Sequence, residues 1–168
     1  MNITTKFAVV NKQGMDALLM LTKTLAEEKY ATLIKPKILA EYISVYYNEQ
    51  KLISEINNFS NQWLIVYADN EPAGYVRLSS KGQRPPSLES RRAVRVADFG
   101  ILKKYPEAEV RDALFEKCLS VTRQYSNAWM IEYAGNPLLS IFENKGFVRS
   151  PESASLEGLP LEAVCLIA

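Results

Sequence analysis

The chemistry open to this chain starts at Phe99 to Phe115, where an apolar run passes directly into residues spaced as an amphipathic helix. Such a strand-to-helix junction binds anions, because the unpaired N–H groups of the first turn and the positive end of the helix dipole point the same way. Glu107 and Glu109 stand in that turn, and no glycine does. Their carboxylates suit the helix and repel a phosphate. The chain has no histidine, which removes Ser-His-Asp and Cys-His nucleophilic catalysis and the commonest zinc ligand. Cys118 and Cys165 lie far apart in apolar patterns without metal-ligand spacing and read as buried free thiols, so no metal site is expected. Arg84, Arg91 and Arg92 read either as solvated loop charge or as contacts for a phosphate or acidic partner. Tyr42, Tyr46 and Tyr47 either line a substrate pocket or pack in the core with hydroxyls at its rim.

Composition bounds what can hold these groups. The 168 residues suit one domain, 1–168, that buries roughly two thirds of its unfolded surface. Twenty Lys and Arg against 19 Asp and Glu leave no global field for nucleic acid or an anionic membrane surface. No apolar run approaches the ~20 residues of a membrane span, and the first residues lack a basic region followed by an apolar core. The expectation is a cytoplasmic protein without nucleic-acid or membrane partners.

The elements follow from periodicity. Phe7 to Val10 reads as a short strand, and Met15, Leu18, Leu21, Thr22 and Leu25 repeat at helical spacing. Pro36 opens a second helix and Asn48 caps a third. Gln62–Ala68, a turn at Asp69-Asn-Glu-Pro72, and Ala73–Leu78 predict a β-hairpin. A strand over 93–102, a helix over about 106–125 and a strand over 127–134 form a crossover, which makes the two strands parallel neighbours. Asn136-Pro137 begins a short helix ending near Gly146, Phe147-Val148 starts a strand, and Ala163 to Ile167 gives the last one. Helices, then a hairpin, then a crossover predict an α/β (α+β) domain with a mixed central sheet flanked by helices.

In this order, Tyr46-Tyr-Asn-Glu-Gln-Lys-Leu52, Ala73-Gly-Tyr-Val76 and Phe142-Glu-Asn-Lys-Gly-Phe-Val148 resemble the GNAT superfamily of acyl-CoA-dependent N-acyltransferases, and within it the bacterial spermidine/spermine acetyltransferases. The resemblance covers nearly the whole chain. It implies that the strands at 93–102 and 127–134 splay to admit the acyl arm of acetyl-CoA, whose pyrophosphate rests on N–H groups at the helix start. It places that cofactor against Ile101, Leu102 and Lys103, against Val110, Arg111 and Asp112, and against Asn136. The family loop, [Gln/Arg]-x-x-Gly-x-[Gly/Ala], falls on Pro106 to Arg111, where Pro106, Glu109 and Arg111 replace its defining residues. Arg111, Lys103 and Lys104 are the cations available to compensate.

The family's general-acid tyrosine falls on Phe142, which has no proton to give. Asp98, Glu132 and Tyr133 are the replacement candidates for catalysis, although alternation from Arg95 and Ala97 turns Asp98 to the opposite face unless a β-bulge re-aims it. The implied activity is acetyl transfer from acetyl-CoA to a primary amine of a small molecule. The alternatives are a binding or regulatory protein that keeps the fold and has lost catalysis, and a structural subunit whose strand Ala163 to Ile167 pairs with that of a second copy to give a homodimer.

Overall fold

The computed structural model describes all 168 residues. Seven strands form one sheet in the order β1-β2-β3-β4-β5-β7-β6, antiparallel throughout except at the β4–β5 pair. The strands are β1 (Ile3–Phe7), β2 (Asn61–Ala68), β3 (Glu71–Ser79), β4 (Ala93–Ile101), β5 (Asn127–Tyr133), β6 (Val148–Ser150) and β7 (Ala163–Ile167). The helices are α1 (Lys12–Tyr30), α2 (Pro36–Tyr46), α3 (Glu49–Asn57), α4 (Ala108–Thr122) and α5 (Leu139–Asn144).

Local signals explain most boundaries. Asn11 caps α1, its side chain accepting from Gly14 N, and Asn48 caps α3 by accepting from Lys51 N. Pro36 fills the first turn of α2, where its missing N–H costs nothing. Asp69 and Asn70 both take positive φ in the β2–β3 turn, the conformation of a two-residue hairpin loop that Asn and Asp tolerate. The first strand lies at Ile3–Phe7, not Phe7 to Val10, because Ile3 to Phe7 pair with Ala68 to Leu64.

β2 is apolar on both faces because both are covered. Leu64, Val66 and Ala68 join Val76, Phe99, Val110, Leu114, Phe115 and Phe142 in a core beneath α4 and α5. Trp63, Ile65 and Tyr67 pack with Leu18, Leu21, Leu25 and Leu52 beneath α1 and α3. Helices therefore flank a mixed sheet on both sides, as the element order predicts. The last strand has no free edge: β7 lies between β5 and β6 and pairs with both. That corrects the expectation of dimerisation through Ala163 to Ile167, since its hydrogen-bonding groups are already engaged within the chain.

Candidate functional site

β4 and β5 pair only at Ala93 with Asn127, Val94 with Ala128 and Arg95 with Trp129. Beyond those residues the strands run on to Ile101 and Tyr133 without pairing, and β5 takes β7 on its other edge. The sheet is thus split along the second half of two parallel neighbours, and the side chains near the split are those able to do chemistry.

Asp98 is aimed there by a bulge. Arg77 pairs with Asp98 while the next residue, Leu78, pairs with Val96, which leaves Ala97 as an extra residue in β4. Strict alternation from Arg95 would turn Asp98 away; the inserted residue returns it to the α1 and α2 side. There Asp98 accepts hydrogen bonds from Lys29 Nζ at 3.0 Å, from Tyr47 Oη at 2.9 Å and from Tyr75 Oη. Lys29 Nζ also donates to the Phe99 carbonyl at 2.8 Å, so the C-terminal end of α1 is fastened to the strand where the split opens.

Both charges are largely buried, Lys29 at 12% and Asp98 at 17% side-chain exposure. Burial opposes the ionised form of each, but their mutual attraction and hydrogen bonds win. Asp98 is held below the ordinary carboxylate value by the Lys29 charge and by hydrogen bonds from Tyr75 and Lys29. Lys29 is pushed well above its usual range by Asp98 and Glu132. Glu132 differs. It is 5% exposed and accepts from Asn136 Nδ2 at 2.9 Å. Burial, with the charge of Asp98 adding, raises its pKa against the pull of Lys29 and the Asn136 amide. One carboxylate is held charged; the other is poised to take up a proton.

Two cavities meet at this ion pair. An inner one of about 70 Å³ is walled by Tyr30, Tyr42, Tyr47, Trp63, Asp98 and Glu132, with Arg77 and Arg95 also on its surface. An outer cleft of about 250 Å³ is lined by Leu25, Lys29, Ile101, Glu107, Tyr133 and Leu138. Lys29 faces the outer space and Asp98 the inner one, so their bridge is the shared wall. The tyrosines do both things considered for them: Tyr42 packs against Tyr30, Tyr46 and Tyr47, and the cluster also lines the inner cavity.

Of the residues expected at the cofactor, Ile101, Leu102, Lys103, Arg111 and Asn136 line the outer cleft. Val110 is sealed in the core, and Asp112 lies outside the cleft, where Arg111 donates to it at 3.1 and 3.2 Å. The amides of Glu107, Ala108 and Glu109 have no partner within the chain, as a helix start requires, whereas Val110 N donates to Glu107 O. Lys103 N is engaged by the Glu28 carboxylate at 3.0 and 3.1 Å. The junction therefore presents three free donors, with the Glu107 carboxylate on the wall beside them. These donors and the apolar walls fit a long acyl carrier with an anionic anchor.

Among the catalytic candidates, Asp98 and Glu132 share the inner cavity, while Tyr133 lines the outer cleft, packed edge-on against Tyr30 with ring centroids 5.6 Å apart. Phe142 is enclosed by Phe99, Phe115 and Phe147 and reaches neither space. Arg84, Arg91 and Arg92 do not converge: Arg84 donates to the backbone oxygens of Arg91 and Ser80, and Arg92 stacks on Tyr125. No group of acidic and thiol side chains is arranged to hold a metal ion.

Sequence reasoning misses Lys29, Tyr75, Arg77 and Arg95. The signal at Lys29 is its spacing: four residues after the buried Leu25, it is a charge on the apolar stripe of α1. Arg77 and Arg95 lie in otherwise apolar strands, Arg77 beside the buried Leu78 and Arg95 between Val94 and Val96.

No family model matches the chain. Its fold is that of the GNAT N-acetyltransferases. The structure superimposes on the PaiA N-acetyltransferase of Thermoplasma acidophilum, solved in complex with coenzyme A, with a TM-score of 0.79 at 14% identity over 99% of this chain and 98% of that one. A GCN5-related N-acetyltransferase from Rhodopseudomonas palustris gives 0.72 at 13% identity over 99% and 95%. An acetyltransferase from Streptococcus agalactiae gives 0.67 at 17% identity over 98% and 96%. These likenesses are of fold, across essentially whole chains. No helix is long and apolar enough to cross a membrane.

Proposed function

We propose that the protein is an N-acetyltransferase that transfers an acetyl group from acetyl-CoA to a primary amine of a small molecule. The observation that carries this reading is the split between β4 and β5, which joins a cleft at a free helix start to a buried cavity with two carboxylates. The same split is what the resemblance to GNAT enzymes implies, and a protein of the same fold has been captured with coenzyme A.

The amides of Glu107, Ala108 and Glu109, with Lys103 and Arg111, would hold the pyrophosphate, and Ile101, Leu102 and Leu138 the arm that follows it. When bound, acetyl-CoA supplies an acetyl group activated as a thioester. Glu132 accepts a proton from the acceptor's ammonium, a role suited to a carboxylate whose pKa burial has raised. Asp98, kept anionic, positions Lys29, Tyr47 and Tyr75. Tyr133 keeps a proton at Oη on the wall of the outer cleft and takes the place of the donor that Phe142 lacks. Without loop glycines, and with Glu107 on the wall, cofactor affinity falls by about one order of magnitude or more.

A second reading is favoured by Lys29, whose ammonium sits between the two cavities on Asp98 and Phe99 O: the fold is kept and turnover lost. Calorimetric titration with acetyl-CoA, followed by thiol release with a panel of amines, separates them. Binding with Glu132-dependent thiol release is the expected result. Binding without release, or no binding at millimolar ligand, overturns the first reading and leaves the second.

A further inference from the structure

The donors around the inner cavity are not balanced by acceptors. Three buried side-chain nitrogens have no hydrogen-bond partner: Trp63 Nε1, Arg77 Nε and Arg95 Nε. All three residues line this one cavity. They reach it from three consecutive strands: Trp63 on β2 lies opposite Arg77 on β3, and Arg95 on β4 lies opposite Ser79, two residues further on. Arg77 is half used. Its Nη1 donates to Glu55 at 3.2 Å, and that carboxylate is shared with Lys51 and Asn61. Arg95 forms no ion pair; its guanidinium stacks on Trp129 at 5.1 Å. Burial and the neighbouring charge of Arg77 both disfavour its ionised form.

Two half-buried guanidinium groups side by side, each with a buried Nε that has no acceptor, are costly to maintain. The charges of Glu157, Asp98 and Glu132 favour the ionised Arg95, but none of these carboxylates hydrogen-bonds to either Nε. Glu55 is taken by Arg77 and Lys51, Asp98 by Lys29 and two tyrosines, and Glu132 by Asn136. The unmet need is for an acceptor-rich anion, and a planar carboxylate matches the guanidinium fork. A cavity of about 70 Å³ admits such a head group; a long polycation threaded here would meet Arg77 and Arg95.

We infer that the acceptor is an amine that also carries a carboxylate, an amino-acid-like zwitterion, with the carboxylate held by Arg95, Arg77 and Trp63 Nε1 and the amine directed toward Glu132. The inference rests on reading the inner cavity as the acceptor site. It narrows the acceptor away from polyamines, which have no anion to offer these donors.

The test uses the intact chain and does not require turnover. Its only two tryptophans are Trp63 in this cavity and Trp129 under Arg95, so intrinsic fluorescence reports occupancy directly. L-Amino acids, the corresponding amino-acid amides and 1,4-diaminobutane are titrated in parallel, and thiol release from acetyl-CoA is measured for each. At least one amino acid is expected to bind about 10- to 100-fold tighter than its amide, the range for losing a charge-assisted hydrogen-bonded pair. Arg95→Met should abolish that preference while melting at or above the wild-type temperature, because it removes a half-buried charge whose Nε has no acceptor. Equal binding of acids and amides, or preference for the diamine, overturns the inference and leaves the acetyltransferase reading intact. Amino-acid binding without thiol release keeps the carboxylate site but overturns the acetyltransferase reading, and with it the acceptor role. Glu157, on the same cavity, competes with a ligand carboxylate for Arg95: Glu157→Gln should keep or strengthen the preference, and its loss in that variant overturns the inference.

Discussion

Replacing Lys29 by Met tests whether the Lys29–Asp98 bridge governs the split in the sheet. Methionine fills the space of the lysine stem and leaves Asp98, 17% exposed, with two phenolic donors and no ion-pair partner in contact. Removing one partner of a buried pair costs about 3–5 kcal/mol. The carboxyl has an escape, because it can protonate, at a cost of about 1.36 kcal/mol for each pH unit above its unfolded pKa of about 3.9. The electrostatic penalty is therefore capped at about 1.5 kcal/mol at pH 5 and about 4 kcal/mol at pH 7.

The sign of the pH dependence follows from the two proteins' Asp98. In the wild type its folded pKa is depressed, so its stabilisation is present above about pH 3.9 and is lost as pH falls through the folded value. Lys29, with a raised pKa, contributes fully below its unfolded value of about 10.4 and loses its contribution only as pH rises through the folded one. Between pH 5 and 8 the wild-type pair is flat. In Lys29→Met, burial, the largest influence on Asp98, is opposed only by its phenolic hydrogen bonds and the more distant Arg77 charge; it raises the Asp98 pKa, so the folded state holds the extra proton and stability falls as pH rises. Urea unfolding followed by tryptophan fluorescence should give a destabilisation that grows by about 1 kcal/mol per pH unit from pH 5 to 7. The double variant Lys29→Met/Asp98→Asn should remove the pH dependence and recover most of the loss. A destabilisation independent of pH over that range would refute the reasoning.

Three further outcomes are expected. Glu132→Gln should lower kcat by about 10²- to 10⁴-fold with little change in KM, and the wild-type rate should rise with pH through a value above the ordinary glutamate pKa of about 4.3. A wild-type-like rate in the variant removes Glu132 from the chemistry. Glu107→Gln should tighten acetyl-CoA binding about five-fold by calorimetry, because it removes like charge from the wall beside the free amides. Unchanged affinity means that the pyrophosphate lies elsewhere. Gly74→Ala should destabilise by about 1–3 kcal/mol in urea unfolding, since a Cβ at Gly74 meets the Gly100 carbonyl oxygen and Ile101 Cδ1. No loss of stability would show that the end of β4 yields.

The frame of this fold is legible where local physics decides it. Asn11 and Asn48 cap the helices their side chains mark, Pro36 opens a helix, and the apolar run at Trp63 to Ala68 is a central strand because helices cover both its faces. Periodicity also brings the strand ending at Ile101 beside the helix carrying Arg111. It cannot say that Val110 would be sealed beneath that helix while Arg111 lines the cleft, because this depends on the rotation of α4 against the sheet. Phe142 is a similar case. Counting along the chain sets it where the family resemblance implies a tyrosine, yet its ring closes a cluster of four phenylalanines.

The position least visible in one dimension is the one on which the proposed chemistry turns. Asp98 faces the cavity only because Ala97 is inserted as a bulge, and a bulge arises from pairing between β3 and β4, which local sequence does not encode. Once turned, a carboxylate that deep needs a cation, and it comes from Lys29, 69 residues earlier. The bridge that anchors Asp98 also keeps it ionised and ties up its oxygens, which makes it a poor proton acceptor; in the proposed mechanism that part falls to Glu132 across the split. Two carboxylates in one cavity are thus driven apart in protonation by their partners, and the difference between an ammonium and an amide as neighbour is the physical basis of the separate roles proposed for them.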